Sequence, residues 1–409
     1  MGNNAQMVAR TPRLSLLAHA RYGIACAIAL DNSSYRFFVT CAKGTEGALR
    51  RELVTLRIRG PRGATGGVSF DGTMMDGMKV CLHSRVGMRV LLEVAAFEAN
   101  DAEELYEHTH AVDWTDLVGR GMTIAVQATT LDNPKLSHSG FAALKVKDAV
   151  VDMLRDQSGQ RPDVNARDPD VSLVLHLRGS DARLFVDLAG DPLHRRGYRV
   201  AMVEAPLKES LAAALLSLGG VAPDRPFIDP MGGSGTLAIE HALVSRNMAP
   251  GLRRHFSFER WATPDQLRIW ESLRKLAREA TLPKAPCPIV ARDVDRNAVA
   301  AARKNADAAG VLSDIAFEVA DVATLSPQDP AGTVCTNPPY GERLEAPSAG
   351  GDVQRLYVSM ARAFDRMVGW HAVCLAGNPT LSKVLKRKPI ISHRLFNGPL
   401  EARLQVFEL

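Results

Sequence analysis

The chain has 409 residues, 46% of them hydrophobic and 23% charged, the composition of an ordinary globular protein with room for two or three domains. A formal charge of +5 permits a polyanionic partner without demanding one. No uninterrupted apolar run reaches the ~18 to 20 residues of a bilayer-crossing helix, and the six cysteines form no C-x-x-C pair, which argues against zinc and reads as thiols in a reducing cytosol.

In chain order, residues 1–34 are expected to be a poorly ordered extension or the product of an early start codon. The apolar stretch 14–30 imitates a signal-peptide core, but His19 and Arg21 interrupt it. Phe37-Phe38-Val39-Thr40-Cys41 reads as a strand and 44–56 as a helix, in a first portion spanning 35–75. Helical stretches follow near 77–92 and 102–108, then an alternating strand at 123–128. Val146, Ala149, Val150 and Met153 make an i, i+3, i+4, i+7 stripe, with Lys145 and Lys147 beside it. Two alternating strands, 171–177 and 184–188, close a second α+β portion at 76–188. No catalytic constellation is visible across 35–188, so the pattern supports binding or scaffolding there.

Residues 189–206 form a connector rich in Arg, Gly and Pro. Its run His194-Arg195-Arg196-Gly197-Tyr198-Arg199 is a natural path for an RNA backbone, although interdomain ion pairs are an equally simple use. A helix at 208–218 then opens the last domain, 207–409. Phe227-Ile228-Asp229-Pro230-Met231-Gly232-Gly233-Ser234-Gly235-Thr236 is an apolar strand running into a Gly-rich turn and a helix at 237–243, a layout that lets backbone approach a ligand. The strand 289–291 ends at Asp293 and Asp295, acids suited to ribose hydroxyls, and the strand 316–319 ends at Asp321, placed to accept from an adenine amine. A fourth strand ends at Asn337-Pro338-Pro339-Tyr340. Asn337 and a carbonyl directed by the Pro-Pro turn can accept both N–H bonds of a planar amine while Tyr340 stacks on the ring that carries it. Asp229 with its loop, Asp293, Asp321 and Asn337, taken in order, predict an S-adenosylmethionine site beside a device for methylating an exocyclic amine. The loop lacks the G-x-G-x-x-G spacing of a dinucleotide dehydrogenase.

With the connector and the terminal Asn397-Gly398-Pro399-Leu400, these motifs resemble the THUMP-domain RNA methyltransferases, over about 36–409 and most nearly the amino-terminal half of the large-subunit rRNA K/L type. The resemblance implies an α/β chain. A class I Rossmann-like methyltransferase domain would be preceded by an α+β region made of a ferredoxin-like portion and a THUMP domain that hold RNA. It further implies N2 methylation of a guanine in 23S rRNA, alone or in a ribosomal precursor particle, by a cytoplasmic enzyme using no metal. Cofactor contacts are expected from Asp229, Pro230, Gly233, Ser234, Gly235, Thr236, Asp293, Asp295, Asp321 and Asn337. RNA contacts are expected from Lys145, Lys147, Arg195, Arg196, Arg199, Arg343, Lys386 and Arg387.

Two departures from the family pattern stand out. Gly232 occupies a position that usually carries Cys, a change expected to loosen the loop. The second methyltransferase of the fused proteins is also missing, so this chain should perform only the N2 reaction and a separate protein would supply the N7 one. A tRNA guanine-N2 methyltransferase, a DNA adenine-N6 or protein glutamine methyltransferase, and a non-catalytic assembly factor that binds RNA are the other readings of the same motifs.

Overall fold

Tyr35, Phe37 and Val39 alternate inward along Tyr35–Thr40, which makes this segment the first strand, β1. The computed structural model describes residues 34–159, 161–202, 207–339, 349–377, 380–398 and 400–409. Most of the expected extension, together with Tyr340 and Arg343, lies outside the described residues. The larger of two compact units comprises Ser34–Leu91, Leu188–Glu259 and Pro264–Leu409, and the smaller contains Leu92–Asp187 and Arg260–Thr263.

In the larger unit β1 is followed by α1 (Glu46–Thr55) and the hairpin β2 (Arg62–Ala64) and β3 (Gly67–Gly72). β1 pairs antiparallel with β3 so that Phe37 faces Phe70, their rings stacked at 4.9 Å. α2 (Met74–His83) starts at a capping box, in which Thr73 and Asp76 each accept the other's backbone N–H. This helix contains the boundary expected at 75/76. The helix expected over 77–92 also ends early, at His83. Ser84 turns extended, its hydroxyl donates to Glu52 (2.7 Å) and accepts from Gly87 N–H (3.0 Å), and the apolar run from Val90 enters strand β4 (Arg89–Glu98).

The smaller unit contains α3 (Ala102–His110), β5 (Thr123–Leu131), α4 (Ser139–Ser158), β6 (Asp163–Val164), β7 (Val171–Arg178) and β8 (Asp181–Asp187). β5 lies parallel to both β6 and β7, and β8 runs antiparallel to β7. Val146, Ala149, Val150 and Met153 are all buried, as the stripe predicts. Burial of each Val or Met side chain is worth about 1.5–3 kcal/mol, and of the Ala149 methyl about 0.8 kcal/mol.

The remainder of the larger unit is an open α/β sheet. Its elements are α5 (Glu209–Leu218), β9 (Phe227–Asp229), α6 (Thr236–Ser245), α7 (Pro264–Glu279), β10 (Ile289–Asp293), α8 (Arg296–Ala309), β11 (Ile315–Val319), β12 (Thr333–Thr336), α9 (Ala349–Phe364), β13 (His371–Ala376), α10 (Thr380–Leu385), β14 (Ile391–Asn397) and β15 (Leu400–Glu408). The strand order is β11-β10-β9-β12-β13-β15-β14, parallel from β11 to β13, with β15 and β14 closing the edge antiparallel. The sheet is entered at the interior strand β9, builds outward to β11, then returns to β12 on the other side. The carboxyl ends of β9 and β12 therefore flank the switch point where such sheets bind ligands. One face is sealed by Tyr357, Met360, Phe364, Met367 and Trp370 over Ile228, Val334 and Cys374. Trp370 also donates its ring N–H to the Asp329 carbonyl (3.1 Å).

Candidate functional site

A cavity of about 300 Å³ opens at that switch point. It is lined by residues at the carboxyl ends of four strands: Asp229 to Ser234 and Thr236 at β9, Asp293 and Val294 at β10, Asp321 and Val322 past β11, and Asn337 and Pro339 past β12. Leu207, Leu237 and Leu356 complete the wall.

The loop after β9 takes its shape from glycine. Gly233 (φ +53°) and Gly235 (φ +84°) occupy the left-handed region, and a Cβ on Gly235 would lie 2.9 Å from the Ala302 Cβ. Backbone bonds pin the turn, from Gly232 N–H to the Arg292 carbonyl (2.7 Å) and from Gly235 N–H to the Gly232 carbonyl (2.8 Å). These bonds need no side chain at Gly232, and a Cβ there would meet only ordinary contacts of 3.4 Å or more.

Each acid has a distinct environment. Asp229 is buried at the end of β9. Burial pushes its carboxyl up to about 8, the Met231 N–H bond (3.3 Å) opposes that shift, and the charge of Asp293 adds to it. Asp293 accepts from Gly233 N–H (2.8 Å) through one oxygen and from Asp295 N–H (3.0 Å) through the other. Asp321 accepts from Ala323 N–H (2.7 Å). Asn337 is half-buried, and its side-chain oxygen is shielded from solvent with no hydrogen-bond partner among the described residues. Such an acceptor carries an unmet desolvation cost.

Nine of the expected site residues thus meet in one cavity: Asp229, Pro230, Gly233, Ser234, Thr236, Asp293, Asp321, Asn337 and Pro339. Gly235 shapes the turn, Pro338 is buried next to the wall, and Asp295 is exposed and caps α8 through Asn297 N–H (2.8 Å). Tyr340 lies outside the described residues.

The expected RNA contacts divide differently. Arg196 is 4% exposed, pairs with the fully buried Glu240 (3.5 Å) and donates to the carbonyls of Leu193 and Arg85. Arg199 is largely buried against Glu209 (2.8 Å). Neither can present its charge to a phosphate, which corrects both assignments. Arg195 is exposed beside Asp191 (3.0 Å) and Lys386 is exposed, whereas Arg387 bonds Asp365 (3.1 Å) and the Glu408 carbonyl (2.9 Å). In the smaller unit Lys145 lies over the exposed Phe141 ring (5.7 Å) and Lys147 pairs with Asp148 (2.5 Å). Arg343 lies outside the described residues.

Sequence reasoning missed the buried polar cluster behind the site. Glu240 accepts from the Tyr198 hydroxyl (3.1 Å), and Glu52 accepts from Arg85 N–H (2.7 Å). Burial pushes both carboxyls up. A signal existed: Glu240 is the one acid in the mostly apolar helix α6, and a buried charge requires a partner.

Comparison with known proteins agrees with this geometry. Residues 196–405 match the RMKL-like methyltransferase domain family, 99–187 the THUMP domain and 36–91 the RlmL ferredoxin-like domain. The chain is 40% identical over 388 residues to the ribosomal RNA large subunit methyltransferase K/L of Syntrophotalea carbinolica, covering 91% of this chain and 53% of that protein. The enzyme of the same name from Methylococcus capsulatus is 39% identical over 386 residues, covering 91% and 51%. The chain thus spans about half the length of these curated relatives. Among solved structures, the methyltransferase-type protein SMU.472 in complex with S-adenosylhomocysteine (SAH) is 30% identical with a TM-score of 0.84, covering 92% of this chain and 99% of that one. TrmN from Thermus thermophilus shares the fold at a TM-score of 0.67 and 22% identity, covering 92% and 99%.

Proposed function

Because the chain belongs to the RMKL-like methyltransferase family, we propose that it methylates the exocyclic N2 of a guanine in 23S ribosomal RNA, with S-adenosylmethionine as the cofactor. The observation that carries this reading is the shielded, unpartnered side-chain oxygen of Asn337 at the wall of the cavity. A planar amine donating into that oxygen would remove its desolvation cost and direct the nitrogen lone pair toward the methyl donor.

The cavity fits the cofactor in size and donor set. Its ~300 Å³ suits a small ligand largely enclosed by protein, and two of its carboxylates, Asp293 and Asp321, follow neighbouring strands. Asp293 would hold ribose hydroxyls, Asp321 the adenine amine, and the Gly233–Gly235 turn the methionine portion. The cofactor supplies an electrophilic methyl on a sulfonium. Asn337 and the Pro338 carbonyl would orient the amine and stabilise positive charge developing on nitrogen, and the proton can then leave to water.

Holding RNA falls to the THUMP segment at 99–187 and the ferredoxin-like segment at 36–91, with Arg195 and Lys386 exposed and Lys145 and Lys147 half-buried as basic side chains for it. We assign to this site the N2 reaction alone and leave N7 methylation to another active site. A ribosomal RNA substrate would be met in the cytoplasm, where we assign the protein.

The test is transfer of labelled methyl to protein-free 23S rRNA and to total tRNA, both from cells lacking the gene, with nucleoside mass spectrometry. N2-methylguanosine in 23S rRNA alone supports the reading. Label only in tRNA moves the substrate, and label in neither overturns the function.

A further inference from the structure

The guanidinium of Arg199 holds three residues of the cavity wall at once. Its Nη1 donates to Ser234 Oγ (3.0 Å), and its Nη2 donates to the Leu207 carbonyl (2.9 Å) and to Thr236 Oγ1 (3.2 Å). Its Nε donates to Glu209 Oε1 (2.8 Å), in an ion pair where the carboxylate is 6% exposed. The next residues of the connector are stitched to the same loop through Asn305. The Asn305 side-chain oxygen accepts from Val200 N–H and Ala201 N–H (both 2.9 Å), while its nitrogen donates to the carbonyls of Ala201 (2.9 Å) and Ser234 (3.1 Å).

The loop being held has two glycines in the left-handed region, and such backbone has little stiffness of its own. An external clamp with several fixed donors supplies it. Arginine suits the task because its planar fork reaches four acceptors in set directions, which the compact ammonium of lysine cannot do. Three residues earlier Arg196 fastens the same connector to Arg85, whose own guanidinium donates to the Met248 carbonyl (2.6 Å). The ferredoxin-like segment and the Gly-rich loop are thus joined by one short stretch of backbone.

We propose that Arg199 is a positioning residue of the cofactor site, fixing the Gly-rich loop and the entry to α5 so that cofactor affinity depends on the connector. The inference rests on the assignment of the cavity to S-adenosylmethionine. It gives the connector arginine a role in cofactor binding rather than on RNA.

The experiment uses the full chain with SAH as the probe, read by calorimetry, together with steady-state methyl transfer. Arg199→Lys keeps the charge opposite Glu209 and loses the fork. The expected result is a Kd for SAH and a KM for S-adenosylmethionine both raised about tenfold or more, roughly the loss of two hydrogen bonds. Turnover at saturating cofactor and the KM for RNA should stay within about twofold, with the unfolding midpoint close to that of the parent. A purely structural arginine would lower the midpoint without this split. If Arg199→Lys fails to fold, Glu209→Gln weakens the same clamp from a residue outside the cavity wall, and about threefold weaker SAH binding is expected from weakening one bond. SAH affinity unchanged in the folded variants overturns the inference, as does a raised KM for RNA with the cofactor KM unaltered. Absence of SAH binding by the parent chain overturns the cofactor reading as well, so the two failures are told apart.

Discussion

Gly233 donates its backbone N–H to the Asp293 carboxylate over 2.8 Å, which ties the loop after β9 to the end of the neighbouring strand β10. The acid therefore has two tasks, holding the loop and facing the cavity. Asp293→Ala should weaken SAH binding by about 1.5–3 kcal/mol, the range for bonds to a charged group. Asp293→Asn keeps one carbonyl oxygen for the loop and should lose less. Calorimetry on both variants checks the order, and equal losses would show that the loop tie contributes nothing.

Asn337→Ala removes the shielded acceptor without touching the loop. Turnover should fall by ~10² or more, as when one preorganised charge-stabilising group is lost, while SAH affinity changes far less. Single-turnover methyl transfer at saturating cofactor gives the number, and an unaltered rate would remove Asn337 from the chemistry.

Much of this site was legible in the sequence, because each strand end carries a residue that a strand end can use. Asp229, Asp293, Asp321 and Asn337 follow short apolar runs, and a Gly-rich turn after an apolar strand announces close backbone approach. The connector was not legible in the same way. Arg195, Arg196 and Arg199 look alike as letters, yet one is exposed, one buried on Glu240 and one folded against the loop. The two buried ones answer to acids 44 positions (Arg196 to Glu240) and 10 positions (Arg199 to Glu209) away, which local pattern does not report. The misread helix over 77–92 has a similar origin. Its apolar residues continue past His83, and the stop comes from Ser84 bonding to Glu52, a contact 32 positions apart.

Arg195 and Arg196 give a sharp contrast between neighbours. Arg196→Ala removes the ion-pair partner of the buried Glu240, leaves it the Tyr198 hydroxyl, and should cost about 3 kcal/mol of stability, seen as a lower denaturation midpoint in urea. Arg195→Ala should leave stability within about 0.5 kcal/mol. If Arg195 lies on phosphate, its loss should reduce the slope of log affinity against log salt by about 1 in RNA binding. A stable Arg196→Ala protein with weakened RNA binding would restore the reading that the structure removed.

Asp229 should make stability pH-dependent in a definite direction. Its carboxyl titrates at about 8 in the fold, against an ordinary value of 3.8, so the native state holds a proton that the unfolded chain has already released. The contribution is fully present below the unfolded value and is lost as pH rises through the folded one, because stability falls wherever the native state binds more protons. Asp229→Asn cannot ionise and should lose less stability than the parent between pH 5 and 8, by an amount on the order of a few kcal/mol. Urea unfolding of both proteins across that range decides it, and parallel pH profiles would mean that Asp229 is ionised in the fold.

Two glycines three positions apart in the same loop should differ in their tolerance of substitution. Gly235 sits at φ +84°, and a Cβ there would press on Ala302 at 2.9 Å, between a loop and a helix that are both packed. Gly235→Ala combines left-handed strain with a steric shift and should cost about 1–3 kcal/mol. Gly232 has no such φ, and its Cβ would meet the Arg292 carbonyl at 3.4 Å, so Gly232→Cys should change stability by less than about 1 kcal/mol. Because the bonds from Gly232 N–H to Arg292 and from Gly235 N–H to Gly232 survive that change, SAH affinity should also hold. Thermal unfolding with and without SAH measures both effects. A destabilised Gly232→Cys protein would mean that the turn depends on glycine at that position for a reason other than space or backbone angle.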